Sequence, residues 1–243
     1  MPEQAPNPAA VSAVVFDLGG VLIDWDPRYV YRPLFGGDEA AMEAFLATVC
    51  TPEWNRRQDA GRPWSEAIAT LTTEHPGQRD LIAAYWERWQ EMLGEPIAPT
   101  VDVVAELRAS GVPLYALSNW SAETFPIARP RYPFLEWFDG IVISGDVRSA
   151  KPDRRIYEAL LERHGLDPGS VVFIDDMAAN VVTAEELGMR GIRFTGAPDL
   201  RRELVGLGLL SQVSGGVRPS GTGPGRRRGR ASPSRSSRRR AQP

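Results

Sequence analysis

The stretch that most constrains this chain is Ala13–Gly20, AVVFDLGG, in which four apolar residues run directly into an acid and two glycines. An uninterrupted apolar run of this length reads as a strand covered on both faces, the kind found in parallel sheets. Such a strand ends poorly on a lone ionised carboxylate, because desolvating a charge without a partner is costly. Asp17 therefore needs a cation beside it, or a position where ligands enter. In open parallel sheets ligands bind beyond the carboxyl ends of the strands. The residues that follow each further strand thus carry the answer.

Four more apolar runs recur: PLYALS at 113–118, GIVIS at 140–144, SVVFI at 170–174 and GIRF at 191–194. Between them the pattern predicts helices over Thr100–Ser110, Asp153–His164 and Met177–Leu187, the last stopped by Gly188. Strands alternating with helices of this length indicate an α/β fold with a doubly wound, Rossmann-like parallel sheet. The rhythm breaks over residues 27–99, which show no convincing strand. Amphipathic helical patterns fill them instead, GDEAAMEAFLATVC and RDLIAAYWERWQEML among them. An inserted α-helical cap domain is expected there, bordered by Pro27 and Pro99, with residues 11–26 and 100–210 as a discontinuous core. Most of the insert's tryptophans, Trp54, Trp64, Trp86 and Trp89, are assigned to packing, the usual role of an aromatic stripe at helical spacing.

The chain has 243 residues, 42% of them hydrophobic, enough for a sizeable core. No run approaches the ~18 residues that a bilayer-spanning helix needs. One cysteine, Cys50, excludes an internal disulfide framework. The opening MPEQAPNPAA lacks the basic-then-apolar pattern of a secretory signal, so a cytoplasmic location and no membrane contact are expected. The net charge of −3 divides unevenly: from Ser211 onward there are nine arginines and no acid, leaving 19 basic and 31 acidic side chains before it. The segment 211–243, built of Gly, Pro, Ser and Arg, is expected to be disordered. Arginine blocks bind nucleic acid weakly and non-specifically through phosphates, but composition alone marks no site.

The strand ends supply the chemistry. After Asp17, the second strand delivers Ser118 and Asn119, and the fourth delivers Asp175 and Asp176. Ahead of the helix between them, SAKPD carries Lys151, the single lysine against 27 arginines. A compact point charge is retained there. Three clustered carboxylates repel one another unless a cation joins them. A hard divalent ion with oxygen ligands, Mg²⁺, fits that need, and Lys151, Ser118 and Asn119 can then hold phosphate oxygens.

These motifs, FDLGGVL at 16–22, LSN at 117–119, KP at 151–152 and IDD at 174–176, together resemble the haloacid dehalogenase-like hydrolase superfamily over residues 11–210. Their order, spacing and placement at strand ends carry the resemblance. The ~100 residues between Asp17 and Ser118 match the subgroup with a helical cap after the first motif, and bacterial sugar-1-phosphate phosphatases have a similar FDLG opening. The resemblance implies a phosphatase acting on a small phosphorylated metabolite, with Asp17 as nucleophile, an aspartyl-phosphate intermediate and Lys151 stabilising charge. Mg²⁺ would be held by Asp17, the backbone carbonyl of Gly19, Asp175 and Asp176. One departure stands out. Most phosphatases of this family carry a second aspartate two residues after the nucleophile, to protonate the leaving group. Here that residue is Gly19. Asp24, Asp26, a water or a substrate with a good leaving group are the candidate substitutes. The same departure admits a metal-independent 2-haloacid dehalogenase, although such a site has no use for Asp175 and Asp176. A third reading is a non-catalytic binding protein using the cleft or the basic tail.

Weaker signals complete the set. Asn180, one helical turn past Asp176, is placed to steady the acids, or is a plain surface amide. Trp120 lines the entrance or packs. Arg56, Arg57 and Gln58, in EWNRRQDAGRPW, are candidate substrate contacts from the cap, set against simple solvation.

Overall fold

A computed structural model of the chain describes residues 11–212. Its strands are β1 (Ala13–Phe16), β2 (Ile23–Trp25), β3 (Leu93–Pro96), β4 (Leu114–Ser118), β5 (Gly140–Ile143), β6 (Val171–Asp175) and β7 (Arg190–Arg193). Five of them form a parallel sheet in the order β5-β4-β1-β6-β7. The chain leaves β1 toward β4 and β5, then returns to β1's other side for β6 and β7. The order therefore reverses at β1, and a crevice opens there beyond the strand ends.

All four side chains of β1 are fully buried, and alternate ones serve opposite layers. Ala13 and Val15 join Ile156, Tyr157 and Leu160 of a helix at Arg154–His164, and Ala184 of a helix at Ala178–Glu186. Val14 and Phe16 face the other way, with Val103, Val104 and Leu107 of Ala98–Ala109 and with Leu200 and Leu204 of Ala197–Gly206. Cover on both sides is why the strand is apolar throughout.

Between β2 and β3 run five helices: α1 (Arg28–Leu34), α2 (Glu39–Thr48), α3 (Pro52–Asp59), α4 (Trp64–Glu74) and α5 (Arg79–Glu87). Helices α2 and α3 start on side-chain caps, Asp38 accepting from the Ala41 N–H and Thr51 from the Trp54 N–H. The later helices are α6 (Ala98–Ala109), α7 (Phe125–Ala128), α8 (Ser144–Val147), α9 (Arg154–His164), α10 (Ala178–Glu186) and α11 (Ala197–Gly206). The cap helices share an aromatic cluster in which Trp54 meets Tyr85 edge-on at 5.0 Å and Trp64 lies 5.6 Å from Tyr85. Packing accounts for Trp54, Trp64 and Trp89. Trp86 is the one of the four that is not buried, being 36% exposed while stacked on Trp64.

The expectation of no strand within residues 27–99 is corrected by β3, which pairs antiparallel with β2 through Ile23–Pro96 and Trp25–Leu93. A four-residue strand containing Gly94 and Pro96 is too short to show periodicity and is built of poor strand formers. The ribbon brackets the cap helices in the chain. Among the described residues no helix is long and apolar enough to cross a membrane. Apart from its first two residues, the Arg-rich segment 211–243 lies outside the described residues.

Candidate active site

Sheet register brings the motif residues together. Phe16 pairs with Ala116 on one side and Ile174 on the other, so Asp17 emerges between the ends of β4 and β6. Its N–H donates to the Ile174 carbonyl at 2.8 Å. Lys151, 1% exposed, reaches into the same space, its ammonium 2.9 Å from Asp17 Oδ1. It donates to Asp175 Oδ2 and to the Leu117 carbonyl, both at 2.7 Å. Three acceptors around a point suit three rotatable ammonium donors, which a planar guanidinium could not match.

Burial pushes the Asp17 carboxyl up to about 7; Lys151 opposes that shift and the nearby Asp175 charge adds to it. Burial works against the Lys151 ammonium too, but Asp17 and Asp175 outweigh it and hold the group above its ordinary value. Asp176 is likewise raised by burial and by Asp175. The site thus carries more negative charge than its one ammonium balances.

Asp175 is fixed on every side. Its Oδ1 accepts from the Met177 N–H at 2.8 Å and from Asn180 Nδ2 at 2.9 Å, with Oδ2 3.1 Å from that amide. The Asn180 carbonyl in turn accepts from the Tyr157 hydroxyl at 2.9 Å. Asn180 does steady an acid, though it holds Asp175 rather than Asp176. One oxygen each of Asp17, Asp175 and Asp176 lie within 4.8 Å of one another. Gly20 leaves the room: φ is +73° there, and a Cβ would stand 2.9 Å from Asp176 Oδ2. Three converging carboxylates with one ammonium fit a hard divalent cation.

Ser118 and Asn119 fall where their strand predicts, at the end of β4. Ser118 is buried. Asn119 uses its side chain on the Lys151 loop, Nδ2 donating to the Lys151 carbonyl at 3.0 Å and Oδ1 accepting from its N–H at 2.7 Å. One amide N–H is left for a ligand.

Beside Asn119 opens a pocket of about 100 Å³, lined by Trp25, Asn55, Asp59, Trp89, Asn119 and Trp120. Trp120 therefore packs, against Trp89 and Phe125, and also lines this pocket. Asp24 and Asp26 are not among the lining residues. Tyr29 donates its hydroxyl to Asp24, and Asp26 accepts from the Arg28 N–H and guanidinium. Arg56 and Arg57 are exposed beside Glu53, and buried Gln58 bonds the Trp54 carbonyl and Arg62. The residues of that cap stretch that line the pocket are Asn55 and Asp59. The available signal was their i,i+4 spacing alongside the buried Trp54–Gln58 pair, which puts both next to the core-facing stripe.

Comparison with known proteins settles the lineage. The family model of haloacid dehalogenase-like hydrolases matches residues 11–188. The chain belongs to that family. It is an enzyme of the hydrolase class, with phosphatases among its relatives. A sesquiterpene phosphatase of Aspergillus oryzae is 28% identical over 75% of this chain and 89% of its own length. A phosphorylated-carbohydrate phosphatase of Thermotoga maritima is 29% identical over 75% and 84%. Among solved structures, a haloacid dehalogenase-family enzyme of Bacteroides thetaiotaomicron, in complex with magnesium and inorganic phosphate, superposes with a TM-score of 0.58 at 24% identity. It covers 75% of this chain and 93% of that one and shows the fold alone.

Proposed function

We propose that this hydrolase is a Mg²⁺-dependent phosphatase that cleaves a small phosphorylated metabolite in the cytoplasm, using Asp17 as nucleophile. The observation that carries the reading is the convergence of Asp17, Asp175 and Asp176 within 4.8 Å around Lys151. Asp17, Asp175, Asp176 and the Gly19 carbonyl would hold the ion, which when bound neutralises phosphate charge. Lys151 draws Asp17 toward its ionised form and aims its free oxygen. Ser118 and the remaining Asn119 N–H hold phosphoryl oxygens, with the Lys151 charge beside them. Asn180 locks Asp175 so that only its other lone pairs face the site. The helices of residues 27–99 close over this end of the sheet as a cap.

A metal-free displacement of halide would leave Asp176, raised by burial and by Asp175, with no role and no cation. A pure binding protein would not need Lys151 buried between two acids. The test uses 4-nitrophenyl phosphate, whose leaving group needs little protonation. EDTA should abolish its hydrolysis and Mg²⁺ restore it. Asp17→Asn should remain folded by circular dichroism and lose at least ~10³-fold in kcat. Undiminished turnover in EDTA, or halide release from a 2-haloacid, would overturn the assignment.

A further inference from the structure

Displacing an alkoxide from phosphorus demands a proton for the departing oxygen, and the groups around Asp17 do not supply one. Gly19 has no side chain, and Asp175 and Asp176 belong to the charged cluster. Lys151 is held between two carboxylates and a carbonyl. Asp24 and Asp26 are engaged elsewhere, and the Tyr157 hydroxyl is already donated to Asn180. The pocket beside Asn119 holds one further acid, at the C-terminal end of α3.

Resting on the phosphatase reading, we propose that Asp59, brought by the cap, is the acid that protonates the leaving oxygen, and that the tryptophan-walled pocket seats the leaving alcohol. Asp59 lines that pocket together with Asn119, whose amide clamps the Lys151 loop. Asn55 Nδ2 donates to Asp59 Oδ2 at 3.0 Å, and the Asp59 carbonyl accepts from Ser144 Oγ of α8 at 2.6 Å. The residue is thus tied to the core side of the crevice. It forms no ion pair among the described residues. Asn55, the Ser121 N–H and Tyr85 of α5 are the groups that face it. Burial pushes its carboxyl up to about 8 against that N–H, so it carries a proton at neutral pH.

Two buried polar atoms of residues that line the pocket lack partners. Trp120 is 7% exposed, yet its indole N–H is unbonded, and so is Asn55 Oδ1. The indole walls of Trp25, Trp89 and Trp120 suit an alcohol with an apolar face.

The steps balance. An Asp17 oxygen bonds to phosphorus as the bond to the leaving oxygen breaks, and the Asp59 proton passes to that oxygen, releasing a neutral alcohol. The Asp59 carboxylate then takes a proton from the water that displaces phosphate from Asp17, which restores both acids.

The experiment compares full-length wild type, Asp59→Asn and Asp59→Glu on 4-nitrophenyl, phenyl and glycerol phosphates with Mg²⁺, reading kcat/KM. Asp59→Asn should raise the ratio of nitrophenyl to glycerol phosphate turnover by about 10²-fold or more, with phenyl phosphate between. Asp59→Glu should recover part of the glycerol phosphate rate. Equal losses on all three esters, or no loss on any, would overturn the assignment of Asp59. Wild type inert toward all three would instead overturn the phosphatase reading.

Discussion

Lys151 shows what one residue holds together. Among the described residues its ammonium is the only positive charge bonded to Asp17 and Asp175, and it also satisfies the Leu117 carbonyl. Removing one partner of a buried ion pair leaves the other charge uncompensated. Lys151→Met should therefore cost ~3–5 kcal/mol in a urea titration near neutral pH. The deficit should shrink on acidification, as Asp17 takes up its proton. Lys151→Arg keeps the charge but brings a planar fork into a site shaped for a point charge. It should also be inactive, by more than ~10²-fold in kcat on an aryl phosphate. An arginine variant close to wild type in both assays would mean that charge alone matters there. The sole lysine in an arginine-rich chain was a readable sign of this requirement, because the two cations differ in shape rather than in sign.

At the scale of elements, the turn after β1 decides how close the metal acids come. Gly20 has φ +73° and no space for a Cβ beside Asp176, whereas a Cβ on Gly19 would meet nothing within 4 Å. Gly20→Ala should then destabilise by ~1–3 kcal/mol. It should also raise the Mg²⁺ concentration needed for half-maximal turnover by pushing Asp176 outward. Gly19→Asp should fold with stability within about 0.5 kcal/mol of wild type. Placed in the Asp59→Asn background, it should restore glycerol phosphate turnover by supplying the absent acid from the turn. Strand ends made this part of the site legible. Runs buried on both faces are continuous in sequence, and their last residues necessarily meet at one edge of a parallel sheet. Asp17, Asp175 and Asp176 were reachable that way, whereas Lys151 stood out as the single lysine and Asn180 by its helical spacing from the acids. Strand β3 and the pair Asn55–Asp59 were not legible. A ribbon of three and four residues has no period, and which face of α3 turns toward the crevice depends on how the cap docks. The arginines of that helix are chemically the more conspicuous residues and point to solvent.

For the whole molecule, a proton held in the cap couples stability to pH. The folded state keeps Asp59 protonated up to about 8, while the unfolded chain releases that proton near the ordinary 3.8. Between those values the folded protein binds more protons than the unfolded one, so stability declines as pH rises. The contribution is complete below the lower value and gone above the upper. An amide at this position has no proton to lose, so the variant Asp59→Asn should gain on wild type steadily across that window. Asp59 is only half-buried, and solvent screening holds the gain to on the order of 1–3 kcal/mol at the alkaline end. Urea midpoints of the two proteins, measured from mildly acidic to mildly alkaline buffer, read it directly. A constant offset across pH would mean that Asp59 is ionised throughout and has no proton to give. A residue whose removal stabilises the fold while suppressing turnover of poor leaving groups is retained for chemistry, because packing alone would have replaced it.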